Sequence, residues 1–146
     1  MSKKQMGFTL IEIVMVLVLL GILSAVAVPK YFDLRDQAAQ KTAEAAVAEI
    51  QARVNAVFAK ELLNGSKGCV DARSAIFDTD NLAKIKSLGT NFDDDAFEMP
   101  KPSDEKATST SIKFKLSGVE YSSAGTGLQK VNAITLPVCD NSAARN

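Results

Sequence analysis

One uninterrupted apolar run near the N-terminus constrains this chain more than any other feature. Residues 8–28 carry polar side chains only at Thr9, Glu12 and Ser24. A run of about 20 apolar residues is long enough to cross a bilayer as a helix. Two lysines precede the run, and positive charge on that side favours an N-terminus held in the cytoplasm. The sequence therefore predicts a helix that crosses a membrane once and begins near residue 8.

Glu12 lies about one helical turn inside this apolar run. A carboxylate within the membrane costs roughly 2.5–3.5 kcal/mol on insertion scales unless it finds a partner. The run contains no lysine or arginine to pair with it. We therefore expect the partner of Glu12 to come from outside the run, and another copy of the chain is the obvious candidate.

A short polar leader, residues 1–7, stands before the apolar run. A secretory signal peptide instead has its cleavage site after the apolar core, where Ser24, Ala25 and Ala27 offer small residues. The order of leader and core resembles that of the type IV pilin family. The residues that carry this resemblance are Gly7, Phe8, Thr9, Leu10, Ile11, Glu12, Gly21 and Pro29. The short leader, and a mature chain that would begin at Phe8, resemble those of the type IVa subgroup.

The resemblance implies a role for each of these positions. A prepilin peptidase would cleave between Gly7 and Phe8, and Phe8 would become N-methylated. Glu12 would pair with the free amino group of Phe8 in a neighbouring copy, and leaving one of two such buried charges alone costs about 3–5 kcal/mol. Gly21 and Pro29 would bound a segment that melts locally in filaments, although Pro29 by itself favours a helix kink.

Composition restricts the chemistry available to the rest of the chain. The 17 basic and 17 acidic residues balance, so charge gives no reason to expect nucleic-acid binding. The absence of histidine removes the commonest general base and transition-metal ligand. We therefore expect no enzyme activity, no catalytic residue, no cofactor and no metal. Cys69 and Cys139 are the two cysteines, and in an exported head they favour a disulfide over two buried free thiols.

The predicted fold is α+β and pilin-like. A long N-terminal helix, first membrane-spanning and then amphipathic, packs on a small C-terminal antiparallel sheet. We divide the chain into a leader (1–7), a transmembrane or filament-core half of the helix (8–29), an amphipathic half (30–64) and a disulfide-bonded α/β head (65–146). Apolar residues three and four apart mark the buried face of the amphipathic half: Ala43, Val47, Ile50, Val54, Val57, Phe58 and Leu62. Asn64-Gly65 predicts the end of the helix.

The head is predicted with few regular elements. One short helix is expected over residues 81–88, and strands over 112–116, 119–122 and 131–138. Asp93, Asp94 and Asp95 are interpreted as a solvated acidic loop. Their oxygens suit calcium, but the spacing matches no EF-hand loop.

These patterns indicate a structural subunit of a type IV pilus. The resemblance implies a single-pass inner-membrane precursor, N-terminus cytoplasmic, that polymerises into a cell-surface filament. Its partners would be further copies of itself in a helical homopolymer, other pilins, the prepilin peptidase, and an assembly platform with its ATPase. The alternatives are a pseudopilin of a type II secretion system, a minor pilin or, outside the family, a monomeric membrane-tethered binding module.

Overall fold

The computed structural model describes residues 7–64, 68–104, 106–125 and 129–139. The leader before Gly7 and the predicted helix stop at Gly65 therefore lie outside the described residues. The chain forms two compact units, one ending at Ala38 and the other beginning at Ala39. Helix α1 (Leu10–Leu63) contributes residues to both units, with the bounds close to those predicted from the sequence.

The first unit consists of the N-terminal part of α1. None of the residues from Gly7 to Ala38 is buried within the single chain. Within the described part of the chain, α1 is the helix that is long and apolar enough to cross a membrane. An apolar helix surface with no cover from its own chain needs lipid or other protein around it.

The second unit begins with the amphipathic part of α1. Ala43, Val47, Ile50 and Val54 are buried, and Val57 and Phe58 pack half-buried against the same core. The three- and four-residue spacing thus identified most of the buried face of the helix. The prediction is wrong for Leu62, which lies in the last turn of α1 and is exposed. The backbone N–H of Asn64 still donates to the carbonyl of Lys60 at 3.1 Å, which closes the last turn of α1.

Two short helices follow α1. Helix α2 (Cys69–Ala75) was not predicted, because its buried residues Ala72 and Ala75 are small and give a weak apolar pattern. Helix α3 (Thr79–Lys86) corresponds to the helix predicted over residues 81–88. The side-chain amide of Asn81 donates to the carbonyl of Ala75 at 2.8 Å, so α3 caps the end of α2.

Among the described residues, five strands form two small sheets. The strands are β1 (Phe92–Glu98), β2 (Ser109–Thr110), β3 (Lys113–Leu116), β4 (Val119–Ser122) and β5 (Ile134–Thr135). The first sheet has the order β1-β3-β4 and the second pairs β2 with β5, all antiparallel. The turn between β3 and β4 has positive φ at Ser117 and Gly118, as a two-residue hairpin turn of type I′ requires.

The predicted acidic loop over Asp93, Asp94 and Asp95 is wrong, because these residues belong to strand β1. Phe92 determines this placement, since its ring is buried and stacks on Phe114 with 5.4 Å between centroids. Carboxylates are tolerated in β1 because it is an edge strand whose aspartates face solvent.

The core of the head lies between α1 and the sheets. Its fully buried side chains include Phe114, Ile50, Ile76, Ile85, Ile112 and Ile134. The predicted strand over residues 131–138 is much shorter than expected, although Val131, Ile134 and Leu136 are all buried. The α+β class, a long N-terminal helix with a small antiparallel sheet, is confirmed.

Candidate processing and assembly site

The predicted cleavage site lies immediately before α1. Gly7, Phe8 and Thr9 are not helical, and the carbonyl of Thr9 accepts the first helical hydrogen bonds, from Glu12 at 3.1 Å and Ile13 at 3.3 Å. The side chain of Phe8 is 80% exposed. The peptide bond between Gly7 and Phe8 is therefore non-helical and accessible, as a peptidase substrate must be. Cleavage there remains a prediction.

The carboxylate of Glu12 is exposed, and it has no hydrogen bond or ion pair with any residue that the structure describes. Its position relative to Thr9 is that of a capping box, Thr-x-x-Glu, in which the acid lies in the first turn of the helix. This spacing is a helix-start signal present in the sequence itself. The location of Glu12 suits a partner that comes from outside the chain.

Gly21 and Pro29 both lie inside α1. A Cβ atom added at Gly21 would meet nothing within 4 Å, so packing within the single chain does not require glycine there. Pro29 has no N–H, so the carbonyl four residues before it lacks its usual helical donor. By contrast, the hydroxyl of Ser24 is satisfied within the helix, because it donates to the carbonyl of Leu20 at 2.7 Å. The predicted local melting in a filament is not tested by this conformation.

In the head, Cys69 and Cys139 are joined by a disulfide, the pair expected from the sequence. Their Cα atoms are 5.7 Å apart and the residues are separated by 70 positions. The bond ties the first residue of α2 to the segment that follows β5.

The amphipathic part of α1 also holds the C-terminal segment by polar contacts that were not predicted. Gln40 Nε2 donates to the carbonyl of Lys130 at 2.8 Å. The amide of Gln51 donates to the carbonyl of Thr135 at 2.9 Å and accepts from its backbone N–H at 2.7 Å. The signal available in the sequence was a pair of glutamines three turns apart on a helix face.

Arg53 attaches α3 to the same helix. Its Nη1 donates to the carbonyls of Lys84 at 2.8 Å and Ser87 at 2.7 Å, at the C-terminal end of α3, while its Nε donates to Glu49 at 2.8 Å. A cation at a helix C-terminus satisfies free carbonyls and opposes the negative end of the helix dipole.

Charged side chains on the amphipathic part of α1 also form surface pairs. The Lys41 ammonium lies 2.7 Å from the Glu44 carboxylate, and this hydrogen bond lowers the pKa of Glu44 below its ordinary value. Among the described residues, no group of three or more Cys, Asp or Glu side chains is arranged to hold a metal ion.

Comparison with known proteins places the strongest similarity at the N-terminus. Residues 2–28 match the family described as "Prokaryotic N-terminal methylation motif". The chain is also 51% identical over 45 residues to a protein of Thermus thermophilus named "Type IV narrow pilus major component PilA5".

This similarity is restricted to part of each protein. The matched segment covers 31% of this chain and 39% of the Thermus protein. No solved structure matches. The comparisons therefore bear on the processing and assembly segment, while the head is characterised by its own geometry.

Proposed function

We propose that this chain, which carries the prokaryotic N-terminal methylation motif and is identified through it as a type IV pilin, is a structural subunit of a type IV pilus. The observation that carries the proposal is the motif at Gly7 and Phe8, followed directly by an apolar helix that the rest of its own chain leaves uncovered. A membrane covers that surface in the precursor, and the helices of other copies cover it in a filament.

Processing creates a positively charged partner for the Glu12 carboxylate. Cleavage between Gly7 and Phe8 leaves a methylated, cationic amino group on Phe8. In a bundle of apolar helices, that cation and the Glu12 carboxylate of a neighbouring copy offset each other's desolvation. Because the pair forms at one relative position of two helices, it also sets the axial register between copies.

In this scheme the chain has no catalytic role of its own. The prepilin peptidase acts on it, and an assembly platform with its ATPase extracts it from the inner membrane. Before extraction it spans that membrane once, with the N-terminus in the cytoplasm. After assembly its apolar helices lie in the filament interior and its disulfide-bonded heads face solvent. Other pilins would join the same filament through the same helix surface.

The experiment that tests this role compares two substitutions in the apolar run. Glu12→Val should lower the filament yield at least about tenfold, since it leaves the cationic terminus of a neighbour without its partner at a cost of about 3–5 kcal/mol. Membrane insertion should be unchanged or improved, because a charge leaves the apolar run. The yield is measured in the sheared fraction and divided by the amount of mutant protein in the membrane.

The matched control is Ser24→Val, which also removes a polar group from the run. The Ser24 hydroxyl is already satisfied by the carbonyl of Leu20, so filaments should form normally. Normal filaments from Glu12→Val alone would show that the carboxylate does not determine assembly. If the chain is found only as membrane-bound monomers, the tethered binding module is favoured instead. If it is found only at filament tips and in small amounts, a minor pilin is favoured.

A further inference from the structure

Strand β1 presents the longest open sheet edge in the head. It spans Phe92–Glu98 and is the outer strand in the order β1-β3-β4. An edge strand exposes unpaired N–H and C=O groups, which are a template for a strand from another molecule. Because two copies of this chain carry the same open edge, β1 of one copy could pair antiparallel with β1 of another.

The side chains of β1 oppose that pairing. Asp93, Asp94, Asp95 and Glu98 are all exposed, and β1 contains no basic residue. If two such edges paired, these carboxylates would lie opposite carboxylates. Like charges facing each other across paired strands are destabilising, and at an interface they cost several kcal/mol.

The backbone of β1 opposes it as well. The register of β1 against β3 shifts between Asp93 and Glu98, so the strand is bulged there. Within the bulge, the N–H of Asp95 donates to Asp93 Oδ1 at 3.1 Å. Lys86 Nζ donates to the carbonyl of Asp94 at 3.3 Å. The Asp94 carbonyl and the Asp95 N–H belong to one peptide unit and point in opposite directions, so an incoming strand would have to displace the one that faces outward.

Some backbone groups on β4 and β5 are occupied within the head. In β5, the N–H and the carbonyl of Thr135 are both taken by the side chain of Gln51. At the end of β4, the carbonyl of Ser122 accepts from Gly125 at 3.1 Å and from Val131 at 3.2 Å. These groups are occupied by the chain itself, whereas the outer edge of β1 is protected from strand pairing by its charge and its bulge.

We propose that the acidic, bulged edge of β1 prevents strand pairing between the heads of neighbouring copies. This inference goes beyond the proposed function and applies to single solubilised copies as well as to a polymer. Polymerisation makes it more important, since heads held side by side at high local concentration pair more readily.

The test uses the full chain solubilised in detergent, so that α1 is covered and only the heads are free to associate. In the double variant Asp94→Thr/Asp95→Thr, two charges are replaced by a residue that favours strands. Both side chains are exposed, and Asp93, which holds the bulge, is retained. We expect the associated fraction in sedimentation velocity to rise about tenfold over the native chain, with slower hydrogen exchange of the β1 amides in the associated species.

The matched control is Asp71→Thr/Asp80→Thr, which makes the same substitutions and the same charge change at exposed positions in the first turns of α2 and α3. It should stay as monomeric as the native chain. Association of both variants to the same extent would overturn the proposal, because net charge alone would then explain it. So would a double β1 variant that remains monomeric, or one that associates without protection of β1.

A second variant keeps the test decisive if the threonine pair disturbs the head. Asp94→Lys/Asp95→Lys leaves Asp93 and Glu98 acidic, so the edge has two charges of each sign and no net charge. Its opposite charges can attract across two copies, and the variant should therefore self-associate, less so at high salt. A lysine variant that stays as monomeric as the native chain would contradict the proposed role of charge at this edge.

Discussion

The side-chain amide of Gln51 pairs with the backbone of Thr135 as a neighbouring strand would. Its Nε2 donates to the Thr135 carbonyl at 2.9 Å, and its Oε1 accepts from the Thr135 N–H at 2.7 Å. The residues are 84 positions apart. A helix side chain therefore satisfies both backbone groups on the open side of β5 and fixes the C-terminal segment against α1.

We expect Gln51→Ala to lower the free energy of unfolding of the head by about 1–2 kcal/mol, the net value of two hydrogen bonds at a position that water can reach. This free energy is measured by chemical denaturation of the full chain in detergent, with the near-ultraviolet circular dichroism of the head as the signal. The control is Gln37→Ala, the same substitution at an exposed position of α1, which leaves the Thr135 contacts in place and should change stability by less than half as much. Equal effects of the two changes would mean that the pairing with Thr135 adds nothing.

Arg53 should be the residue that holds α3 on α1. Arg53→Met keeps much of the apolar stem but removes the donors to the carbonyls of Lys84 and Ser87. Charge-assisted hydrogen bonds contribute about 1.5–3 kcal/mol, and partial exposure reduces that range here, so we expect a loss of about 1 kcal/mol. Hydrogen exchange of the α3 amides should quicken while that of β3 and β4 stays unchanged.

Lys60→Met is the control for Arg53, because it makes the same charge change at an exposed position of α1. It should leave exchange in α3 as it is in the native chain. If α3 exchanges at the native rate in Arg53→Met, the two carbonyl contacts are not what positions this helix.

The disulfide between Cys69 and Cys139 should be present in the exported protein. Peptide mapping without reduction should yield one fragment that contains both cysteines, whereas two alkylatable thiols in the oxidised native protein would contradict it. Closing a loop across 70 positions stabilises by about 4 kcal/mol on the loop-entropy model. Replacing either cysteine should therefore lower subunit stability and leave the cleavage site where it is.

Parts of the fold could be predicted because their signals are local. The spacing of Ala43, Val47, Ile50 and Val54 identifies the buried face of α1 without knowledge of what covers it. The alternation around Phe114 gives β3 in the same way. The apolar run and the processing motif are also contiguous stretches of sequence. The candidate site at the N-terminus could therefore be predicted from the sequence alone.

The remainder depends on distant partners. Strand β1 consists largely of carboxylates, and it is a strand because Phe92 stacks on Phe114 and β3 supplies a ladder. Its residues considered alone have low strand propensity. The contacts of Gln51 and Arg53 join residues 84 and 31 positions apart. Such contacts have no local signature, because a glutamine or arginine on a helix face is ordinary until the fold brings a backbone group to it.

Intact-mass analysis of sheared surface filaments tests the central proposal most directly. We expect this chain to be a principal component of the filaments, with a mature N-terminus at Phe8 that carries one methyl group. Its mass should equal that of residues 8–146 plus one CH2, since the methyl group replaces a hydrogen, and minus two hydrogens for the disulfide. A filament fraction without this chain would contradict the proposed function, as would a mature protein that begins after Ala25 or Ala27.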